Sequence, residues 1–206
     1  MYNRGMKSKV LENKRIKKEK LLQAAFLLLT KRDIQDISIQ DIASEAGVGK
    51  GTFYLYFKDK FEIRNILIAM QAKKLFDEAN QSLALQSLDS FEDSIIFVIE
   101  HVLDHLDSIH LKFIQKNLSF GVFHNYLQTN YETDSFESIE NFKLLMKRFG
   151  YSYKNPEVTL YMILELVSSS CYESIMHGFP LPIEEFKPYL FDTIRTILST
   201  GKEKRS

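Results

Sequence analysis

Ile39-Gln-Asp-Ile-Ala-Ser-Glu-Ala-Gly47-Val-Gly-Lys-Gly-Thr-Phe53-Tyr-Leu-Tyr-Phe57 is the stretch that decides the fold. Just upstream, Ser38 and Asp41 have the spacing of a capping box, and Ile37 and Ile42 that of a hydrophobic staple. Ile39, Ile42, Ala43 and Ala46 then recur at i, i+3, i+4 and i+7, one narrow apolar face of a short helix. Gly47 follows where a helix ends in the left-handed conformation that glycine adopts at least cost. Gly49 opens a second short helix, Lys50 to Tyr56, with Phe53 and Phe57 turned back towards Ile39, Ile42 and Ala46. Two short helices joined by a glycine-containing turn make a helix-turn-helix.

Burying Phe53 and Phe57 leaves the rest of the second helix outside. Gly51, Thr52, Leu55 and Tyr56 lie on the far side, Lys50 in the first turn and Tyr54 on the flank. A face this small suits the ~12 Å-wide major groove of DNA. Gly51 lets the backbone come close to a partner. Thr52 can hydrogen-bond a base edge or offer its methyl to thymine, and Leu55 can touch a thymine methyl. The Tyr54 and Tyr56 hydroxyls can donate to phosphates, and Lys50 and Lys60 can neutralise them. If the aromatic run were simply core, Phe53 and Phe57 would fit, but Tyr54, Leu55 and Tyr56 would not, since one helix cannot bury every side unless it is enclosed.

Outward from this motif the pattern stays helical. Residues 16–32 form a helix before it, with a polar break at Asp33–Asp36. Asp59 and Glu62 cap a longer helix running through Phe61, Ile63, Ile66, Leu67, Met70 and Leu75. Further helices are expected near 91–108, 109–128, 134–149, 157–177 and 183–199, the last two being the most apolar. The fold class is therefore all-α, with no internal repeat.

The 206 residues carry 27 Lys+Arg and 27 Asp+Glu, but unevenly. Residues 1–60 hold 13 basic and 7 acidic side chains, and the rest hold 14 and 20. The basic excess sits before residue 21, which points to a polyanion at that end. The single cysteine, Cys171, excludes a disulfide framework and a cysteine-rich zinc site, and it falls among apolar residues where an inert thiol is expected. No apolar run reaches a membrane span and no signal segment is evident, so a cytoplasmic protein without membrane contact is expected. There is no Walker loop, dinucleotide fingerprint or nucleophile elbow, which argues against an enzyme. His101 and His105 stand at i, i+4 near Asp104 and His110, a spacing that can hold a metal. No third ligand is fixed by that spacing, so no metal site and no cofactor are expected.

Ile39 to Phe57, followed by Lys58-Asp-Lys, closely resembles the DNA-binding signature of the TetR family of bacterial transcriptional regulators. The resemblance covers about residues 14–64; beyond it only the helical character and length agree. It implies a basic tail over 1–13, a three-helix helix-turn-helix DNA-binding domain over 14–60, a larger helical effector-binding and dimerisation domain over 61–201, and a disordered tail over 202–206. It implies recognition contacts from Lys50, Gly51, Thr52, Tyr54, Leu55 and Tyr56, and phosphate contacts from Ser38 and Lys60. Asp33 stands where the family usually has glycine, a position that Asp can also hold in the left-handed region. Gly49 stands where Ser or Thr is common, which weakens the cap of the third helix.

The implied function is a ligand-responsive regulator, in most relatives a repressor. It binds a palindromic operator in double-stranded DNA as a homodimer through the helices near 157–177 and 183–199, and a small-molecule effector releases it. Phe97, Phe113, Phe120, Phe123, Tyr126, Phe142, Tyr161 and Met162 form an aromatic-rich set suited to a largely apolar or aromatic effector. For any one of them, ordinary core is the simpler expectation. The alternative function is an architectural or partner-regulated DNA-binding protein without a small ligand.

Overall fold

The computed structural model describes residues 3–106 and 137–200, and its described elements are helical. They are α1 (Asn3–Leu29), a 3-10 turn (Ile34–Asp36), α2 (Ile39–Glu45), α3 (Lys50–Phe53), α4 (Lys60–Ala84), α5 (Phe91–Asp104), α6 (Glu137–Phe149), α7 (Pro156–His177) and α8 (Ile183–Thr200). The helix expected near 109–128 and the tail at 202–206 lie outside the described residues. Two compact units divide between Met70 and Gln71. No described helix is long and apolar enough to cross a membrane.

In the first unit, local signals set each boundary. The Ser38 hydroxyl accepts from Asp41 N at 3.0 Å and the Asp41 carboxylate accepts from Ser38 N at 2.9 Å, a complete capping box. Ile37 and Ile42 of the staple are both buried. At the other end of α2, Gly47 takes φ +65°, Val48 N donates to Ala43 O at 2.9 Å and Gly47 N to Ser44 O at 3.1 Å. That pair of bonds is a Schellman motif. Asp59 caps α4, accepting from Phe61 N and Glu62 N at 2.9 and 2.8 Å. The Glu62 carboxylate accepts from Lys58 N rather than from the cap residue itself.

Three features differ from the sequence expectation. First, α1 begins at Asn3, so the stretch expected as a basic tail belongs to a helix. Lys, Arg and Glu are good helix formers, and Arg15 pairs with Glu12 and Glu19 at 2.8 and 3.6 Å, one turn away on either side. Second, Asp33 is extended (φ −65°, ψ 150°), not left-handed. Its carboxylate accepts from Gln35 N at 3.0 Å and starts the 3-10 turn, so the connection needs no left-handed residue. Third, α3 is a single turn, ending at Phe53. Leu55 N and Tyr56 N continue it with bonds three residues back, to Thr52 O and Phe53 O.

The core of this unit contains Leu21, Ala25, Ile34, Ile42, Ala43, Phe53, Phe57 and Ile63, all buried. The Phe53 and Phe57 rings meet at 5.5 Å. In the second unit, Phe91, Phe142, Leu160, Ile163, Leu190, Ile194 and Leu198 gather from α5 to α8. Polar ties fix the register there. Tyr153 OH donates to Leu198 O at 2.7 Å, Arg195 pairs with Asp93 at 3.0 Å, and Lys187 with Asp104 at 2.6 Å. Burial alone would lower the Lys187 pKa, but its bonds to Asp104 and Glu184 outweigh that and raise it.

Phe53→Ala should cost about 3–5 kcal/mol, because a fully buried ring leaves a cavity that a one-turn helix cannot fill. A urea titration followed by circular dichroism reads this as a lowered midpoint.

Candidate nucleic-acid interface

The capping and the two phenylalanines leave one surface facing out. Leu55 is 78% exposed and Tyr54 52%, while Phe53 between its neighbours is fully buried. Lys50 and Gly51 are exposed, and Thr52 and Tyr56 half-buried. Tyr54 packs its ring edge against Phe53 at 5.7 Å, which fixes its direction. Ser38 is exposed at the start of α2. Its oxygen accepts from Asp41 N. The Ser38 N–H, and after it the Ser38 hydroxyl, hold the Asp41 carboxyl below its usual range.

Gly51 carries the clearest signal. A Cβ built on it meets no atom within 4 Å, and its φ is not positive. Neither packing nor backbone conformation within the chain demands glycine there. Glycine in a helix nevertheless costs up to about 1 kcal/mol relative to alanine. The space a side chain would fill is open.

Gly49, the cap of α3, makes no side-chain capping bond, as its residue type implies. Lys60 is held differently from the expectation. Its ammonium donates to Gln35 O at 3.1 Å and Ile37 O at 2.9 Å, tying the α1–α2 connection to the start of α4. Two backbone carbonyls thus occupy the charge assigned to a phosphate. Lys58, passed over in the sequence reading, is exposed, and none of the described ion pairs engages it. Its place directly after the buried Phe57 was the available signal.

The second unit holds an apolar cavity of about 50 Å³ between four helices. Phe76 and Asn80 of α4, Ile95 and Ile99 of α5, Asn141 and Phe142 of α6, and Leu160 and Ile163 of α7 line it. Of the aromatic set expected around an effector, Phe142 lines this cavity. Phe97 does not, and Tyr161 and Met162 of α7 are largely exposed on another side of that helix. Phe113, Phe120, Phe123 and Tyr126 lie outside the described residues. The helix periodicity placed Tyr161 and Met162 one position away from Leu160 and Ile163, which are the residues that turn inward.

His101 and His105 stack at 4.1 Å, and His105 Nδ1 contacts the His101 carbonyl at 2.7 Å. Among the described residues no group of three or more His, Cys, Asp or Glu is placed to hold a metal ion. Cys171 is buried, and burial pushes its thiol pKa up to about 11.

A helix-turn-helix with an outward-facing, partly apolar one-turn helix defines the class: a DNA-binding regulator domain. The sequence profile of the family described as "Bacterial regulatory proteins, tetR family" matches residues 21–65. Over these residues the chain is similar to the DNA-binding region of the TetR family of transcriptional regulators. It is 28% identical over 170 residues to the HTH-type transcriptional regulator SAR0097 of Staphylococcus aureus, covering 81% of this chain and 85% of that one. It is 26% identical over 130 residues to the HTH-type transcriptional regulator YxbF of Bacillus subtilis, covering 54% of this chain but only 29% of that relative. The fold is similar to RolR in complex with its ligand resorcinol, with a TM-score of 0.65 at 16% identity over 95% of this chain and 99% of that one. The family's members and these relatives are regulators, not enzymes.

Lys60→Met should lower stability by about 1 kcal/mol, because two carbonyls lose a charged donor; a lowered urea midpoint checks it. Cys171 should resist a thiol-specific disulfide reagent at pH 8 in the folded protein and react at once in denaturant, as expected for a desolvated thiol that is little ionised.

Proposed function

We propose that this chain is a ligand-responsive DNA-binding regulator, acting as a repressor, that reads a palindromic operator with α3 and its following turn. The observation that carries the reading is the outward face of Gly51, Leu55 and Tyr54, which the fold does not need for itself. In the groove, Gly51 admits the DNA edge, Thr52 hydrogen-bonds a base or touches a thymine methyl, and Leu55 covers an apolar base edge. Lys50, Lys58, Ser38, Tyr54 and Tyr56 hold the flanking phosphates. Lys60 contributes by fixing the connection that presents Ser38.

The same proposal includes a homodimer through α7 and α8. Val158, Tyr161 and Met162 form an exposed apolar stripe on α7 in addition to its buried one, and Tyr189 is exposed on α8. A two-fold dimer places its recognition helices one DNA turn apart, ~34–36 Å, and so reads a pseudo-palindrome. An uncharged, largely apolar effector fits the lining of the cavity in the second unit. Its binding energy can release DNA only by favouring a conformer with another setting of the helices that carry α3.

Gly51→Ala separates folding from reading. It should leave stability unchanged or raise it by up to about 1 kcal/mol, while weakening binding at least tenfold to duplexes selected by the protein from a randomised pool. Thermal melting and fluorescence anisotropy give the two readouts. Thr52→Ala should shift base preference at one position per half-site. A pool that yields no enriched sequence would overturn the proposal.

A further inference from the structure

Among the described side chains of α1 the first buried one is Leu21, yet the helix begins at Asn3. Between Lys9 and Lys20 its described side chains are exposed, apart from the half-buried Lys18. These twelve positions span about 18 Å of helix at 1.5 Å per residue. Such a segment gains nothing from core burial, and an isolated stretch of this length is marginal in water.

Its charges are sorted by side. At about 100° per residue, Lys9, Lys14, Lys17, Lys18 and Lys20 fall within one half of the helix circumference. Glu12 and Glu19 fall in the other half, where both pair with Arg15. Lys14 and Lys17 continue the line of Leu21, Ala24 and Ala25, so the apolar seam that faces the first unit's core turns cationic upstream. Among the described residues no ion pair or hydrogen bond engages Lys9, Lys14, Lys17 or Lys20. A mixed surface helix would interleave both signs around the whole circumference and pair its lysines one turn away. Here Glu12 and Glu19 both lie with Arg15 on one side, and a side without acidic residues remains for an external polyanion.

We infer that this cationic side of α1 is a second DNA contact, binding the phosphate backbone without reading sequence. The inference rests on the DNA-binding reading above and adds a site outside the helix-turn-helix. Lysines on a helix neutralise phosphates as point charges and release condensed counterions, so their signature is salt dependence rather than base preference. Ordering of the helix is supported by the same contact.

The test uses the full chain carrying Lys14→Gln, Lys17→Gln and Lys20→Gln together. Glutamine has nearly the helix propensity of lysine, so α1 is retained, and far-ultraviolet circular dichroism confirms it. Binding to a 40-base-pair duplex of mixed sequence is measured by anisotropy from 50 to 300 mM NaCl. The slope of log affinity against log salt should fall by about 2–3 per bound protomer, at roughly 0.9 per lysine removed. Affinity at 100 mM should drop at least tenfold. The matching Lys→Arg triple variant should keep the wild-type slope. Equal slopes for the wild type and the Gln variant, or a loss of affinity at unchanged slope, would overturn the inference while leaving the α3 reading intact. Failure of the wild type to bind any duplex at low salt would instead overturn the function proposed for the whole chain.

Discussion

Burial of Phe53 and Phe57 sets the orientation of everything that α3 presents. The two rings are four residues apart, meet at 5.5 Å and leave no accessible surface of consequence. Once they are fixed, rotation of the turn about its own axis would expose a phenylalanine for every residue it withdrew. The positions of Gly51, Thr52 and Leu55 therefore follow from the core, and Tyr54 is set by its edge contact with one of the same rings. Aromatic pairs of this kind add about 0.5–1.5 kcal/mol beyond area burial, which is enough to select one rotation among several. The capping box at Ser38 and the Schellman motif at Gly47 fix the ends of α2, and so the place where α3 can begin.

Lys60 extends the same logic to the other end of the motif. Its ammonium satisfies the carbonyls of Gln35 and Ile37. A cation in such a place acts as a structural donor first. Surface charge that is available to a polyanion must be looked for among lysines without these obligations, such as Lys50 and Lys58 in the motif and Lys9, Lys14, Lys17 and Lys20 of α1.

What the sequence made legible was local. The caps at Ser38 and Asp59, the staple, the Gly47 stop and the inward phenylalanines each depend on residues within about four positions of one another, and all stand in the structure. The starts of α5, α7 and α8 and the ends of α6 and α7 were legible for the same reason, since Ser, Pro and Gly punctuate them, whereas α5 stops at Asp104, short of the expected 108. Non-local features were not legible. Asp33 occupies a turn whose backbone is set by the 3-10 bonds around it rather than by its own preference. Tyr161 and Met162 sit on an apolar helix whose periodicity does not say which stripe turns inward; Leu160 and Ile163 do so because α5 and α6 pack there. The length of α1 was hidden by reading a run of lysines as a tail, although lysine favours a helix.

A single turn of helix has a consequence for how the molecule behaves as a material. Four residues cannot nucleate a helix in isolation, so a peptide excised around α3 would hold no defined shape. The surface it displays is a product of the whole three-helix unit and vanishes when that unit melts, with no intermediate in which the display survives. Its geometry is consequently all-or-none. Heat or denaturant changes how many molecules possess the intact face, not how well each one is formed.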